Sequence, residues 1–177
     1  MGDMKKGNLL NYIRTVPDYP VEGVNFYDLN SLFSSTVWPR TVEKLADDVR
    51  VKFCHPTHIV GIESRGFVVG AALAQIMSLP FTMIRKKGAK YPGELLEESY
   101  ELEYGTDTLT LQVGILGHTS RVILVDDLVA TGGSIQASKK LCEQTGAKVL
   151  GVVSLVHLAY LNRGLDMTHV TGCEVKE

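Results

Sequence analysis

The stretch VILVDDLVATGGS, residues 122–134, decides how the rest of the chain is read. Four apolar residues, Val122 to Val125, suit a central strand buried on both faces. Two carboxylates, Asp126 and Asp127, stand at its end, and a turn of small residues then opens a helix. In that turn Ala130, Thr131, Gly132 and Gly133 can aim successive backbone N–H groups at one anion, and the helix N-terminus adds its partial positive charge. Thr131 and Ser134 can donate hydroxyl hydrogen bonds to the same anion. Asp126 and Asp127 would repel that anion, but they suit vicinal hydroxyls, each of which can donate to a carboxylate. A phosphate cradle beside an acidic, hydroxyl-binding pair describes a ribose 5-phosphate site. The plainer reading, a strand-to-helix turn with an acidic cap, leaves the separate chemical use of each residue type unexplained. A Walker-type nucleotide loop is excluded because the Gly-Lys-Ser/Thr ending is missing.

Outward from this motif, strands and helices alternate. Apolar residues at Val37, Trp38, Val42, Leu45, Ala46, Val49 and Phe53 form one helical stripe, a core face in which Trp38 packs. A β-branched run, His58 to Ile62, leads into Glu63-Ser64-Arg65-Gly66 and an apolar helix, Phe67 to Met77. Pro80 to Ile84 reads as a strand ending at the basic cluster Arg85-Lys86-Lys87-Gly88. Residues 89–105, polar and punctuated by Pro92, Gly93 and Gly105, read as a long excursion of the functional or disordered kind. Thr108 to Val113 and Arg121 to Val125 are strands, Gly132 to Thr145 a helix, and Val149 to Val156 a further β-rich run. This order predicts an α/β fold with a central, mainly parallel sheet flanked by helices. Ligands of such sheets lie beyond the carboxyl ends of the strands, so residues 63–66, 85–88 and 126–134 should converge.

Composition narrows the class. The 177 residues, 45% hydrophobic and 21% charged, close one core and make a single domain. A net charge of -2 provides no general basic field for nucleic acid or an anionic membrane. No stretch is long and apolar enough to span a bilayer, and no secretory leader is visible. Cys54, Cys142 and Cys173 are odd in number and lack metal-ligand spacing, which suits reduced thiols in the cytoplasm. These features predict a soluble protein.

The 122–134 segment resembles the motif that binds 5-phosphoribosyl 1-pyrophosphate (PRPP) in type I phosphoribosyltransferases. The resemblance extends from about Pro17 to Leu158 and is greatest to the adenine-specific branch of that family. It rests on DYPVEGVNFYD (18–28), GIESRGF (61–67), IRKKG (84–88) with YPGE (91–94), and SYELEYGTD (99–107), in the family's order. It implies a small hood from residues 1–35 that helps bind the base, and a flexible lid loop over residues 86–105. The implied reaction is purine salvage: adenine and PRPP give AMP and pyrophosphate, with Mg²⁺ as cofactor. The metal would be held through PRPP and water, with no direct protein ligand. The family also implies a homodimer.

Site residues follow from the same resemblance. Asp126 and Asp127 would bind the ribose, and residues 130–134 the 5-phosphate. Ser64 and Arg65 would hold the pyrophosphate, Arg65 through its bidentate fork, with a cis peptide implied at Glu63–Ser64. Read from the residues alone, Arg85-Lys86-Lys87 is equally a solvated basic turn; the resemblance assigns phosphate contacts to Arg85 and Lys86 and leaves Lys87 at the surface. Phe26, by itself a core candidate, becomes the ring that stacks on the base, flanked by Asn25 and Tyr27, with Leu158 on the other face. Glu103, by itself one solvated acid among several, becomes the general acid–base, with Tyr104 beside it. Ala130 stands where 6-oxopurine enzymes commonly carry Asp, so proton transfer must come from elsewhere. The chain departs from the family at Tyr27 (often basic), at His157 (often acidic or amide) and at an apparently inserted Ala89. Residues 159–177 resemble it weakly and receive no role. The competing readings are an enzyme for xanthine or a modified purine, and a non-catalytic PRPP-sensing regulator.

Overall fold

The computed structural model describes residues 9–101, 105–162 and 164–176. After a 3-10 turn at Leu9–Tyr12 come β1 (Arg14–Val16), β2 (Phe26–Asp28) and the short α1 (Asn30–Phe33). The main body follows as α2 (Trp38–Lys52), β3 (His58–Ile62), α3 (Gly66–Met77), β4 (Phe81–Lys86), β5 (Leu95–Glu101), β6 (Thr106–Gln112), β7 (Arg121–Val125), β8 (Leu128–Val129), α4 (Gly133–Gln144), β9 (Lys148–Leu158) and β10 (His169–Val175). The large sheet has the order β10-β9-β7-β3-β4-β6-β5, with β8 beside β9. Strands β10, β9, β7, β3 and β4 are mutually parallel, and β6 and β5 add an antiparallel hairpin.

Alternation along the central strands explains the layers. Ile59, Ile123, Val125 and Val153 face α2 and α3, packing with Val42, Leu45, Val49 and Leu73. Val60, Ile62, Leu124 and Val152 face the other way, onto Ile135 and Leu141 of α4. Strands β3 and β7 are thus buried on both sides, and each such Leu, Ile or Val contributes about 1.5–3 kcal/mol of burial. From β3 the chain passes through α3 to β4 on one side. From β7 it passes through α4 to β9 on the other. The strand order therefore reverses between β3 and β7, where a crevice opens at the carboxyl ends.

Two sequence expectations need correction, and one region left without a role gains a structural one. Residues 89–105 are not one long loop: Leu95–Glu101 is a strand paired along its length with β6, from Leu95↔Gln112 to Glu101↔Thr106. Its polar composition reflects a sheet edge on which Glu97 pairs with Lys87 and Glu98 with Lys140. Arg85 and Lys86 lie within β4, not after it, because β6 pairs with them at Thr110 and Leu109. The C-terminal region, given no role, supplies β10, whose residues from His169 pair in parallel with β9.

Close contact between β3 and α3 depends on glycine. A Cβ at Gly61 would lie 2.8 Å from the Phe81 ring and 3.0 Å from the Gly66 carbonyl oxygen. Gly61→Ala is expected to cost about 1–3 kcal/mol by overpacking, and Phe81→Leu in the same chain to return part of it. Urea denaturation of the single and double variants measures both.

Candidate active site

The two catalytic candidates Glu103 and Tyr104 lie outside the described residues. The other sequence candidates can be placed one by one. The acidic pair comes directly off β7, and its backbone is fixed by β9. The Asp126 N–H donates to Val153 O, and Asp127 O accepts from the N–H groups of Leu155 and Val156. Asp126 Oδ1 accepts the Asp127 N–H at 2.9 Å. Both side chains are buried. The Asp126 carboxyl is held well above the usual carboxylate range, first by burial and then by the charge of Asp127, partly offset by Arg65.

Across the crevice, the Glu63–Ser64 peptide is cis, as the resemblance implied. The 63–66 turn approaches β7 so closely that a Cβ at Gly66 would meet Val125 O at 2.8 Å and Asp126 Oδ1 at 3.1 Å. This closeness brings Arg65 Nε to 2.8 Å from Asp127 Oδ2. The contact is an ion pair without hydrogen-bond alignment, and Asp127 Oδ2 has no aligned donor. The same guanidinium lies 5.5 Å from the centre of the Phe26 ring. Arg65 thus touches both the acidic pair and the aromatic wall. Ser64 is exposed on the turn.

The small-residue turn enters α4 through Gly132, at φ +87, a left-handed conformation that favours glycine. Gln136 N–H donates to Gly132 O, so the amides of Gly133, Ser134 and Ile135 precede the helical ladder. Tyr100 of β5 packs at this helix end; a Cβ at Gly133 would lie 3.1 Å from Tyr100 Cδ2. Its hydroxyl donates to Asp107 Oδ2 at 3.3 Å, and burial, then Asp107, push its pKa up to about 12.

A cavity of about 500 Å³ connects the predicted parts. Asn25, Phe26 and Tyr27 line one side, Leu158 another, and Arg65, Ala130 and Thr131 the end nearest the acidic pair. Sequence reasoning missed Leu128, Tyr160 and Leu161 on the same wall. Leu128 sits inside the 122–134 motif as an apolar residue with no polar chemistry to mark it, and Tyr160 and Leu161 lie in a segment that carried no recognised motif. Tyr27 enters the wall from the β1–β2 ribbon, opposite Thr15. His157 does not line this cavity; it hydrogen-bonds Asn162.

Arg85 and Lys86 stand apart from the cavity and are neutralised locally. Glu63 Oε2 accepts the Lys86 backbone N–H at 2.9 Å and lies 3.4 Å from Arg85 Nε. Lys86 Nζ lies 3.1 Å from Asp107 Oδ2. Burial alone would raise the Asp107 carboxyl, but Lys86, the Thr108 N–H and Tyr100 together hold it below its usual value. Lys87 pairs with Glu97 at the surface. Glu63 and Asp107 were visible inside quoted motifs, yet their roles as partners of these cations depend on β3–β4 pairing for Glu63 and β4–β6 pairing for Asp107.

The family described as "Phosphoribosyl transferase domain" matches residues 38–170. An adenine phosphoribosyltransferase of Rhodospirillum centenum is 44% identical over 156 residues, 88% of this chain and 90% of that protein. The adenine phosphoribosyltransferase structure from Thermoanaerobacter pseudethanolicus superposes with a TM-score of 0.89 at 34% identity, covering 97% of this chain and 100% of that one. The Saccharomyces cerevisiae enzyme, solved with an imino-altritol bisphosphate and adenine, gives a TM-score of 0.85 at 34% identity over 94% of this chain and 97% of its own.

The raised Asp126 carboxyl has a measurable sign. Its proton is held more tightly in the folded chain than in the unfolded one, so this group favours folding at low pH. That contribution is lost as pH rises from the unfolded carboxylate range through the folded value. Asp126→Asn, which keeps an acceptor for the Asp127 N–H, is therefore expected to stabilise the ligand-free protein more at pH 8 than at pH 4. Chemical denaturation at the two pH values checks this.

Proposed function

This chain belongs to the phosphoribosyltransferase family, and on that footing we propose that it joins adenine to the ribose of PRPP, releasing AMP and pyrophosphate. The observation that carries the reading is the meeting of three features. A buried acidic pair and an amide-rich helix start adjoin an apolar cavity, and Phe26 forms its wall. The first two suit a sugar 5-phosphate, and the third suits a planar base.

In this mechanism Asp126 and Asp127 accept hydrogen bonds from the ribose hydroxyls. Thr131, Ser134 and the amides of residues 130–134 hold the 5-phosphate. Asn25, Phe26 and Tyr27 receive the base on one face and Leu158 on the other. Arg65 and the Ser64 amide bind pyrophosphate oxygens, with Arg85 and Lys86 beyond them. Displacement at C1′ passes through an oxocarbenium-like state, so the cation at C1′ must be kept from water. Residues 86–105 serve as the cover, closing over the site together with the β5–β6 hairpin of which they form one arm. Glu103 exchanges the purine proton that Ala130 cannot, and Tyr104 helps close the site.

Mg²⁺ belongs to the proposal. Among the described residues no group of three or more His, Cys, Asp or Glu side chains is placed to hold a metal. A buried Asp127 Oδ2 without an aligned donor suits hydroxyls or metal-bound waters as donors. The ion would then be carried by oxygens of PRPP and by water, where it lowers the charge of the departing pyrophosphate. A homodimer and a cytoplasmic location are the remaining elements. Exposed Val68 on α3 and Met83 on β4 provide apolar surface for the former. Among the described residues no helix is long and apolar enough to cross a membrane.

The test is incubation with PRPP, Mg²⁺ and adenine, guanine, hypoxanthine or xanthine in turn, following pyrophosphate release. Release with adenine is expected. Release only with xanthine or another purine would move the specificity, and PRPP binding without release for any base would indicate a sensing regulator. Glu103→Gln is expected to lower kcat by about 10²-fold or more while the PRPP Kd stays within about twofold. Single-turnover rates and calorimetry separate the two.

A further inference from the structure

The turn that leaves β9 carries Tyr160 and Leu161, which wall the proposed base cavity. It is shaped by backbone bonds from Leu161 N–H to Leu158 O and from Asn162 N–H to Ala159 O. Asn162 Oδ1 accepts the Leu165 N–H at 3.0 Å. A backbone N–H can only donate, so this bond fixes which way the amide points. The Asn162 Nδ2 donor must then face His157 Nε2, 2.9 Å away. His157 Nε2 is therefore the acceptor, and its ring proton sits on Nδ1, 4.0 Å from Glu174 Oε1 of β10.

The anchor is held from several sides. His157 lies in β9, aligned with Val129 of β8 on one side and Glu174 of β10 on the other. Its ring meets that of His169 at 4.6 Å, and His169 Nε2 shares a hydrogen bond of 2.8 Å with Ser154 Oγ. At its far end the turn faces the phosphate cradle, with room for little more than a methyl group between them. A Cβ at Gly132 would lie 3.7 Å from Leu165 Cδ1 and 3.9 Å from Asn162 Oδ1.

We infer that Asn162 is a positioning residue that ties the base-cavity wall to the Gly132 end of the phosphate cradle, using His157 as its fixed point. The inference rests on the proposed reading of the cavity as the base site and of residues 130–134 as the phosphate site. Its substance is coupling: one side chain sets the geometry of both subsites without touching either substrate. It also gives His157, a departure from the family pattern, a defined task as a hydrogen-bond acceptor.

The experiment uses the full chain with PRPP, Mg²⁺ and adenine. Asn162→Ala is expected to raise KM for adenine and for PRPP together, roughly five- to tenfold each, the loss of about one structural hydrogen bond, with kcat within about twofold. His157→Phe fills the ring volume without an acceptor and should reproduce both shifts. His157→Gln, which offers an acceptor near the position of Nε2, should recover most of the affinity. In the unsubstituted protein, ¹⁵N ring shifts of His157 should show the Nδ1–H tautomer. A lower Tm with both KM values unchanged would make Asn162 merely structural and overturn the inference, as would a His157→Gln variant no better than His157→Phe. Absence of AMP formation by the unsubstituted protein is a separate outcome, which would remove the reading beneath it.

Discussion

The contact on which the site depends is the approach of the 63–66 turn to the end of β7. Two neighbouring parallel strands end side by side, and the chain leaves them in opposite directions. Only a residue without a side chain fits where Gly66 meets Val125 O and the Asp126 carboxylate. That absence of bulk sets an arginine against an aspartate that is almost wholly buried. Buried carboxylates are costly unless compensated. Here the compensation comes from the neighbouring strand's turn, so fold and site share one constraint.

The central strands and their motifs were legible from sequence because they obey short-range rules. After their first residues, His58 and Arg121, β3 and β7 are apolar throughout, since burial on both faces leaves no polar residue beyond those partly exposed starts. The Asp pair, the small-residue turn and Arg65 were legible because their chemistry is local to a few consecutive residues. Phe26 was not: by its own pattern it is a core residue, and only resemblance gave it a ligand. The structure puts it half-buried on the cavity wall.

What escaped the sequence was set by tertiary pairing. β5 is rich in Glu and Ser, and its polar groups find partners on other elements, Lys140 and Gln144 of α4 among them. No local periodicity announces such a strand, because the partners of its polar groups lie on other elements, β6 and α4, further along the chain. The turn after β9 was missed for the same reason. Its two pocket-lining side chains and the Asn162 bonds acquire meaning only once β9 is placed beside the cradle.

Each cation placed near the proposed pyrophosphate path is matched by a carboxylate: Arg65 by Asp127, Arg85 by Glu63, and Lys86 by Asp107. Among the described residues the mouth of the crevice is therefore close to electrically balanced before any substrate arrives. Balanced charges a few ångströms apart cast little field beyond a Debye length, about 8 Å at physiological ionic strength. The mouth thus exerts little long-range pull on a polyanion, and encounter should proceed at an ordinary diffusive pace that changes little with added salt. On the proposed reading, selectivity for a pyrophosphorylated sugar would then arise only after arrival, as phosphoryl oxygens compete with the resident carboxylates for their cations.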